Sequence, residues 1–302
     1  MGLTELRESF AIEGVLAFEQ TASGLVAIQV TVPAAEATIY LHGAHVTHWK
    51  PAGEDAAIFL SERAEFAPGK AIRGGVPVIF PWFGERHDGK AGPQHGFART
   101  AEWELAFAAV AGDEVHLVFT LAANEVSRAL GFDNFRLSYR VTIGRTLTME
   151  LTVANDADMA LVFEEALHTY FEVADARRVE IDGLGGTAYL DKVDGLKRKV
   201  QPAGLLNFEG RTDRTYLGTE AACVLQDAAG GRRIVVAKNA SRTTVVWNPW
   251  EELTATMADI QPDAWLHMTC IETANVGEDG VTLAPGETHT MRAVISVETI
   301  VS

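Results

Sequence analysis

Arg136-Leu-Ser-Tyr-Arg-Val-Thr-Ile143 and, three residues on, Leu147-Thr-Met-Glu-Leu-Thr-Val153 decide the fold class. In both, apolar and polar residues alternate with a period of two and β-branched residues recur, the pattern of a strand with one face in a core. Gly144-Arg145 between them supplies a tight turn, so the two read as neighbours in an antiparallel sheet. The same texture returns at residues 25–32, 37–41, 115–121, 233–237, 242–247, 266–272 and 288–297. Gly or Asn/Asp marks the turns at 111–113, 155–158 and 229–231. Helical periodicity is confined to 61–66 and 124–130, each opened by a capping residue, Ser61 or Asn124. Strands joined by hairpins without a βαβ rhythm predict an all-β fold, a large antiparallel β-sandwich with few short helices. No repeat, linker or low-complexity block divides residues 1–302, so a single domain is expected.

Composition excludes several functions. Lys and Arg number 25 against 41 Asp and Glu, a formal charge of −16 that repels nucleic acid and anionic membranes. An anionic ligand would need a local arginine cluster working against that field. Cys223 and Cys270 are too few for a disulfide framework or a thiolate zinc site, which fits a reducing compartment. No apolar run approaches the roughly 20 residues of a membrane span, and the N-terminus has no signal core. A soluble, cytoplasmic protein without membrane or nucleic-acid partners is expected. The oligomeric state is open, with a monomer the simpler expectation.

The chemistry-bearing segments lie elsewhere. Arg73-Gly-Gly-Val-Pro-Val-Ile-Phe-Pro-Trp-Phe-Gly84 cannot be a helix interior or a central strand, because its prolines lack the N–H that either needs. With Pro93-Gln-His-Gly-Phe-Ala-Arg99 it makes irregular backbone rich in polar and aromatic groups, where binding sites are built. In Phe163-Glu-Glu-Ala-Leu-His-Thr-Tyr-Phe171, strand alternation puts Glu164, Ala166, His168 and Tyr170 on one face. A nearby carboxylate would favour the imidazolium and make His168 a proton donor near neutral pH. Glu272 sits deep in the apolar Met268-Thr-Cys-Ile-Glu-Thr-Ala-Asn275, a place for a general base or for a carboxylate paired with a buried arginine. Trp247, Trp250 and Trp265 could stack on sugar rings or simply fill core, and Asp213 in a polar loop could accept sugar hydroxyls. His42, His45 and His48 recur every third residue, which permits a metal site but lacks a further ligand at fitting spacing.

Taken in order, these motifs resemble the aldose 1-epimerase (galactose mutarotase) superfamily, in its hexose-6-phosphate mutarotase branch, the glucose-6-phosphate 1-epimerases. The resemblance rests on residues 73–84 and 93–99, Ala166-Leu-His-Thr-Tyr-Phe171, Asp213-Arg214, Trp247-Asn-Pro-Trp250 and Cys270-Ile-Glu-Thr-Ala-Asn-Val276, and runs from about residue 20 to 297. It implies His168 and Glu272 as the catalytic acid and base, and Arg73, Gln94, Arg99 and Asp213 as substrate-binding positions. His95 would line the sugar site, and Arg73 and Arg99 would hold a phosphate, with Arg86 a possible third. The implied activity interconverts the α and β anomers of a hexose 6-phosphate without a cofactor or metal. Two other readings stay open: a mutarotase of unphosphorylated aldoses, and a carbohydrate-binding protein without catalysis.

Overall fold

The computed structural model describes residues 1–300, and strands dominate it. Phe135–Ile143 pairs antiparallel with Leu147–Asn155, in register from Ile143 opposite Leu147 to Phe135 opposite Asn155. Leu137, Tyr139, Val141 and Ile143 on one strand, and Leu147, Met149, Leu151 and Val153 on the other, are buried. Burying each such aliphatic side chain contributes about 1.5–3 kcal/mol relative to leaving it in water. A one-residue slip would turn that whole face outward, which fixes the register.

This hairpin lies in a nine-stranded sheet ordered Leu206–Asn207, Val179–Asp182, Cys223–Asp227, Arg232–Asn239, Thr288–Thr299, Leu147–Asn155, Phe135–Ile143, Glu114–Ala122, Glu104–Ala111. A second sheet of eight strands runs Lys197–Val200, Ala188–Asp191, Thr212–Tyr216, Thr243–Asn248, Met268–Asn275, Glu165–Leu167, Val78–Ile79, with Tyr170–Glu172 also on Met268–Asn275. A third, of four strands, joins Leu16–Gln20, Val26–Val32, Ala35–Tyr40 and His45–Pro51. Ile28, Ile39 and Trp49 of the third sheet meet Leu117, Tyr139 and Ile295 of the first and Leu167, Val246 and Ile271 of the second in one apolar cluster. Sheets sharing an apolar layer make the β-sandwich that the alternation predicts.

Met268–Asn275 is buried along its whole length. Ile271 enters the main core, whereas Met268 and Cys270 join a smaller cluster with Phe59 and Tyr170. The strand is therefore covered on both faces, and its even-numbered face, which carries Glu272, packs outside the main core, with Met268, Cys270 and Ala274 in two smaller clusters.

The helices differ partly from expectation. Glu125–Ala129 is capped as read: Asn124 Oδ1 accepts from Ser127 N at 3.0 Å, and Ser127 Oγ accepts from Asn124 N at 2.9 Å. Residues 61–66 form turns instead of a helix. Ser61 Oγ accepts from Arg63 N and donates to Asp259 O, so its side chain serves a local turn and a distant loop. Leu3–Phe10, Trp250–Thr254 and Ala264–His267 are helical without a clear sequence signal, and the last delays the strand expected from 266 until Met268. No helix among the described residues is long and apolar enough to cross a membrane.

The proline-rich segment takes the one place in a sheet that its chemistry allows. Val78–Ile79 is a two-residue edge strand flanked by Pro77 and Pro81. Pro77 O accepts from His168 N at 3.0 Å and Pro81 O accepts from Glu164 N at 2.9 Å, so the loop grips the strand that carries His168. Phe80 O accepts from Phe97 N at 3.0 Å, tying the 93–99 segment to the same loop. Gly96 makes this approach possible: its φ is +68°, and a Cβ there would overlap the Phe80 carbonyl. Gly96→Ala should therefore cost about 2–4 kcal/mol, combining left-handed strain with the clash. Gly89→Ala, at φ +74° with open space around it, should cost about 1 kcal/mol. Urea unfolding midpoints of the two variants check the difference; equal losses would contradict the close-approach account.

Candidate active site

His168 follows the Glu165–Leu167 strand and Glu272 lies on the adjacent Met268–Asn275 strand, where register pairs Leu167 with Thr273. This brings His168 Nε2 to 3.3 Å from Glu272 Oε1, with both side chains withdrawn from solvent. The imidazole is nearly parallel to two rings, Tyr170 at 4.9 Å and 14° and Phe83 at 6.4 Å and 18°. Trp247 and His95 meet it edge-on at 6.2 and 5.5 Å. The ring is thus held in plane, with Nε2 directed at the carboxylate. Glu272 Oε2 and His168 Nδ1 are buried with no partner in the protein.

Two arginines stand on one side of this pair. Arg73 Nε donates to Asp259 Oδ2 at 3.0 Å and Nη1 donates to Tyr170 Oη at 3.1 Å, so Tyr170 touches both Arg73 and the His168 ring. Against the opposing effect of burial, Tyr170 and Asp259 hold the Arg73 pKa above its ordinary value. Arg99, in the 3-10 turn Ala98–Thr100, donates from Nη2 to Gln94 O at 2.8 Å, while its buried Nε has no partner. Burial, with Arg73 nearby, brings the Arg99 pKa down to about 10, still cationic at neutral pH. Arg73 Nη2 also lies 3.0 Å from Asp259 Oδ2, so one edge of its guanidinium is engaged by a carboxylate, whereas Arg99 keeps its buried Nε unpartnered.

On the other side, Asp213 lies 3.5 Å from Lys192 Nζ, which sits 4.4 Å over the Phe83 ring. Lys192 opens the short 3-10 turn Lys192–Asp194 after the Ala188–Asp191 strand. His95 Nδ1 accepts from Gly84 N at 3.1 Å, which assigns the proton to Nε2. Burial, helped by Arg99, Lys192 and Arg73, lowers the His95 pKa to about 2, so this ring is a neutral donor.

The charge of the central pair departs from the sequence expectation. His168 is not a standing imidazolium: burial, then His95, Arg99 and Arg73, push its pKa well below the ordinary value. Burial drives Glu272 the opposite way; Lys192 opposes the rise and Asp213 adds to it. Both shifts favour the neutral forms of the two groups, imidazole and carboxylic acid, over the ion pair. The carboxylate beside His168 on its own strand does not alter this, because Glu164 accepts from Phe83 N at 2.7 Å and Gly277 N at 2.6 Å. Glu165 points the other way, 2.9 Å from His289 Nε2 and bonded to Asn275.

The remaining sequence candidates separate. Arg73, Arg99, His95, His168, Asp213 and Glu272 converge, and Gln94 borders them, exposed, through its backbone carbonyl. Arg86 does not join the arginines; it pairs with Asp88 at 2.7 Å and covers the Trp82 ring at 4.9 Å. Trp250 and Trp265 pack on each other at 4.5 Å, leaving Trp247 as the tryptophan beside His168. His42 and His45 bond the Lys70 and Gly74 carbonyls at 2.7 and 2.8 Å, and among the described residues His42, His45 and His48 form no metal-competent group. Lys192, Asp259 and Phe83 escaped sequence reading as site residues. Only aromatic Phe83, inside the quoted loop, carried any signal.

The chain is similar to known proteins over most of its length. The aldose 1-epimerase family model matches residues 27–296. A protein of Escherichia coli K12, provisionally named a glucose-6-phosphate 1-epimerase, is 37% identical over 251 residues, covering 83% of each chain. A crystal structure from Salmonella typhimurium, provisionally described as a mutarotase, superposes with a TM-score of 0.89 at 34% identity, over 96% of both chains. The galactose 1-epimerase of Lactobacillus acidophilus shares the fold, with a TM-score of 0.68 at 15% identity over 94% of this chain and 98% of its own. A family match over residues 27–296, joined to these relatives, shows that this chain belongs to the aldose 1-epimerase family and is an isomerase of the aldose-epimerase type.

Proposed function

We propose that the protein interconverts the α and β anomers of a hexose 6-phosphate, with Glu272 as base and His168 as acid. The observation that carries this reading is the 3.3 Å His168–Glu272 pair with Arg73 and Arg99 close to it. Arg73 and Arg99 grip the phosphate, which sets the pyranose ring with C1 at the pair. Asp213 accepts from a sugar hydroxyl, and neutral His95 donates from Nε2. Gln94 lies at the rim beside the phosphate.

Ring opening then needs two proton transfers. Glu272, as carboxylate, takes the proton of the C1 hydroxyl while the C1–O5 bond breaks, and His168, as imidazolium, gives its proton to O5. The pair starts as an ion pair and ends neutral, so its proton count does not change. The neutral state that burial favours is therefore the one reached alongside the open-chain aldehyde. Rotation about C1–C2 and the reverse transfers close the ring on the other face of the carbonyl. A phosphate dianion on Arg73 and Arg99 offsets the charges that depress His168, easing formation of the starting imidazolium. Each acid or base contribution is worth typically about 10²–10⁴-fold.

Two outcomes follow. Replacing Arg73 and Arg99 together by alanine should lower kcat/KM for glucose 6-phosphate by about 10²–10⁴, the worth of two charged hydrogen-bonding groups. Glucose turnover should change far less; equal losses would remove the phosphate assignment. In the pH profile, protonating the pair to its two-proton form occurs at the lowered pKa, and losing its last proton at the raised one. Hence kcat should be flat across neutral pH, falling only well to either side. A single step near the ordinary histidine value of about 6.5 would contradict the buried-pair account.

A further inference from the structure

The even-numbered face of the Met268–Asn275 strand carries one group that ring opening does not use. Cys270 stands two residues before Glu272 and so projects to the same side. One ligand-type atom from each of His168, Cys270 and Glu272 lies within 4.8 Å of the others, and all three residues are buried. Cys270 is a free thiol, and Glu272 Oε2 is buried without a partner. The second thiol, Cys223, belongs to the nine-stranded sheet and the main core.

These distances match a particular chemistry. In a tetrahedral zinc site, bonds of about 2.0–2.3 Å put neighbouring nitrogen and oxygen ligands about 3.3 Å apart. His168 Nε2 and Glu272 Oε1 already stand at 3.3 Å. Cys270 starts within 4.8 Å and needs only a small side-chain adjustment to close the third corner. Thiolate, imidazole and carboxylate together suit zinc or cobalt(II), whereas magnesium and calcium demand more ligands, all oxygen. Charge also balances: a divalent cation, a thiolate, a carboxylate and a neutral imidazole sum to zero. An occupied site therefore leaves no net charge in apolar surroundings.

We propose that His168, Cys270 and Glu272 form a three-ligand site for a thiophilic divalent cation of the zinc class, whose occupancy switches the enzyme off. The metal takes the Nε2 lone pair and a carboxylate oxygen. The Cys270 thiol proton and the proton held by the pair leave to solvent. Neither ligand can then exchange protons with a sugar. Inhibition is reversible on chelation. The effect on activity rests on the acid–base reading above; the metal site itself does not.

The full-length protein is titrated with Co²⁺ and then Zn²⁺. Wild type should develop thiolate-to-cobalt charge-transfer absorption that zinc abolishes. Cys270→Ser should lack that band and Cys223→Ser should keep it. In the anomerisation assay, Cys270→Ser should need at least about 100-fold more zinc for half inhibition, more than the loss of an outer-shell partner costs. Its zinc-free turnover should equal wild type. No band in folded wild type, or equal zinc sensitivity in Cys270→Ser, overturns the proposal. If the serine variant fails to fold, the wild-type cobalt spectrum decides alone. A Cys270-dependent band in a protein that accelerates no anomerisation keeps the metal site and overturns the acid–base reading instead.

Discussion

The contact between His168 and Glu272 removes an imidazole and a carboxyl group from water and leaves each chiefly the other for compensation. An isolated buried charge is strongly unfavourable, so burial favours the neutral arrangement of the pair. Much of the surrounding structure limits that cost and holds the geometry. Tyr170 and Phe83 fix the ring plane, Glu164 anchors the loop that carries Phe83, and Lys192 counters the rise in Glu272. Two arginines add a positive field whose effect on His168 a phosphate would reverse.

The Met268–Asn275 strand joins this pair to the core. Its odd-numbered residues send Ile271 into the main apolar cluster and Asn275 to the Glu165–His289 pair, while its even-numbered residues carry Cys270 and Glu272. Pairing on both sides, with Thr243–Asn248 and with the segments around His168, keeps the strand from shifting. A shift of one residue would exchange Glu272 for Ile271 or Thr273, so the register of the sandwich also sets the placement of the chemistry. The proline-rich loop joins this arrangement through carbonyls that accept from His168 and Glu164. Its prolines leave those carbonyls available while ending further pairing at the sheet edge.

Sequence reading reached the architecture because period-two alternation is local: residues 135–153 show it within one hairpin, and it recurs along the chain. It also singled out His168 by its polar neighbours, Glu272 by its place in an apolar strand, and both by the family resemblance, and the structure sets the two side by side. It failed where the determinant is distant. Asp259 meets Arg73 across 186 positions and nothing beside it in sequence marks it. Lys192 reads as an ordinary surface lysine. The charge of His168 was misjudged for the same reason: a neighbouring glutamate is visible in the sequence, whereas burial and three converging cationic or imidazole groups are not. The helix expected at 61–66 gave way because Ser61 found its partners near residue 259.

The central claim is that the His168–Glu272 pair moves protons on the anomeric centre of a sugar phosphate. Magnetisation exchange between the C1 protons of α- and β-glucose 6-phosphate tests it directly, in buffer, with wild type and with Glu272→Gln. The account predicts exchange accelerated by wild type and returned close to the buffer rate by the glutamine variant, which still binds the sugar phosphate. No acceleration by folded wild type, or full acceleration by Glu272→Gln, would contradict it.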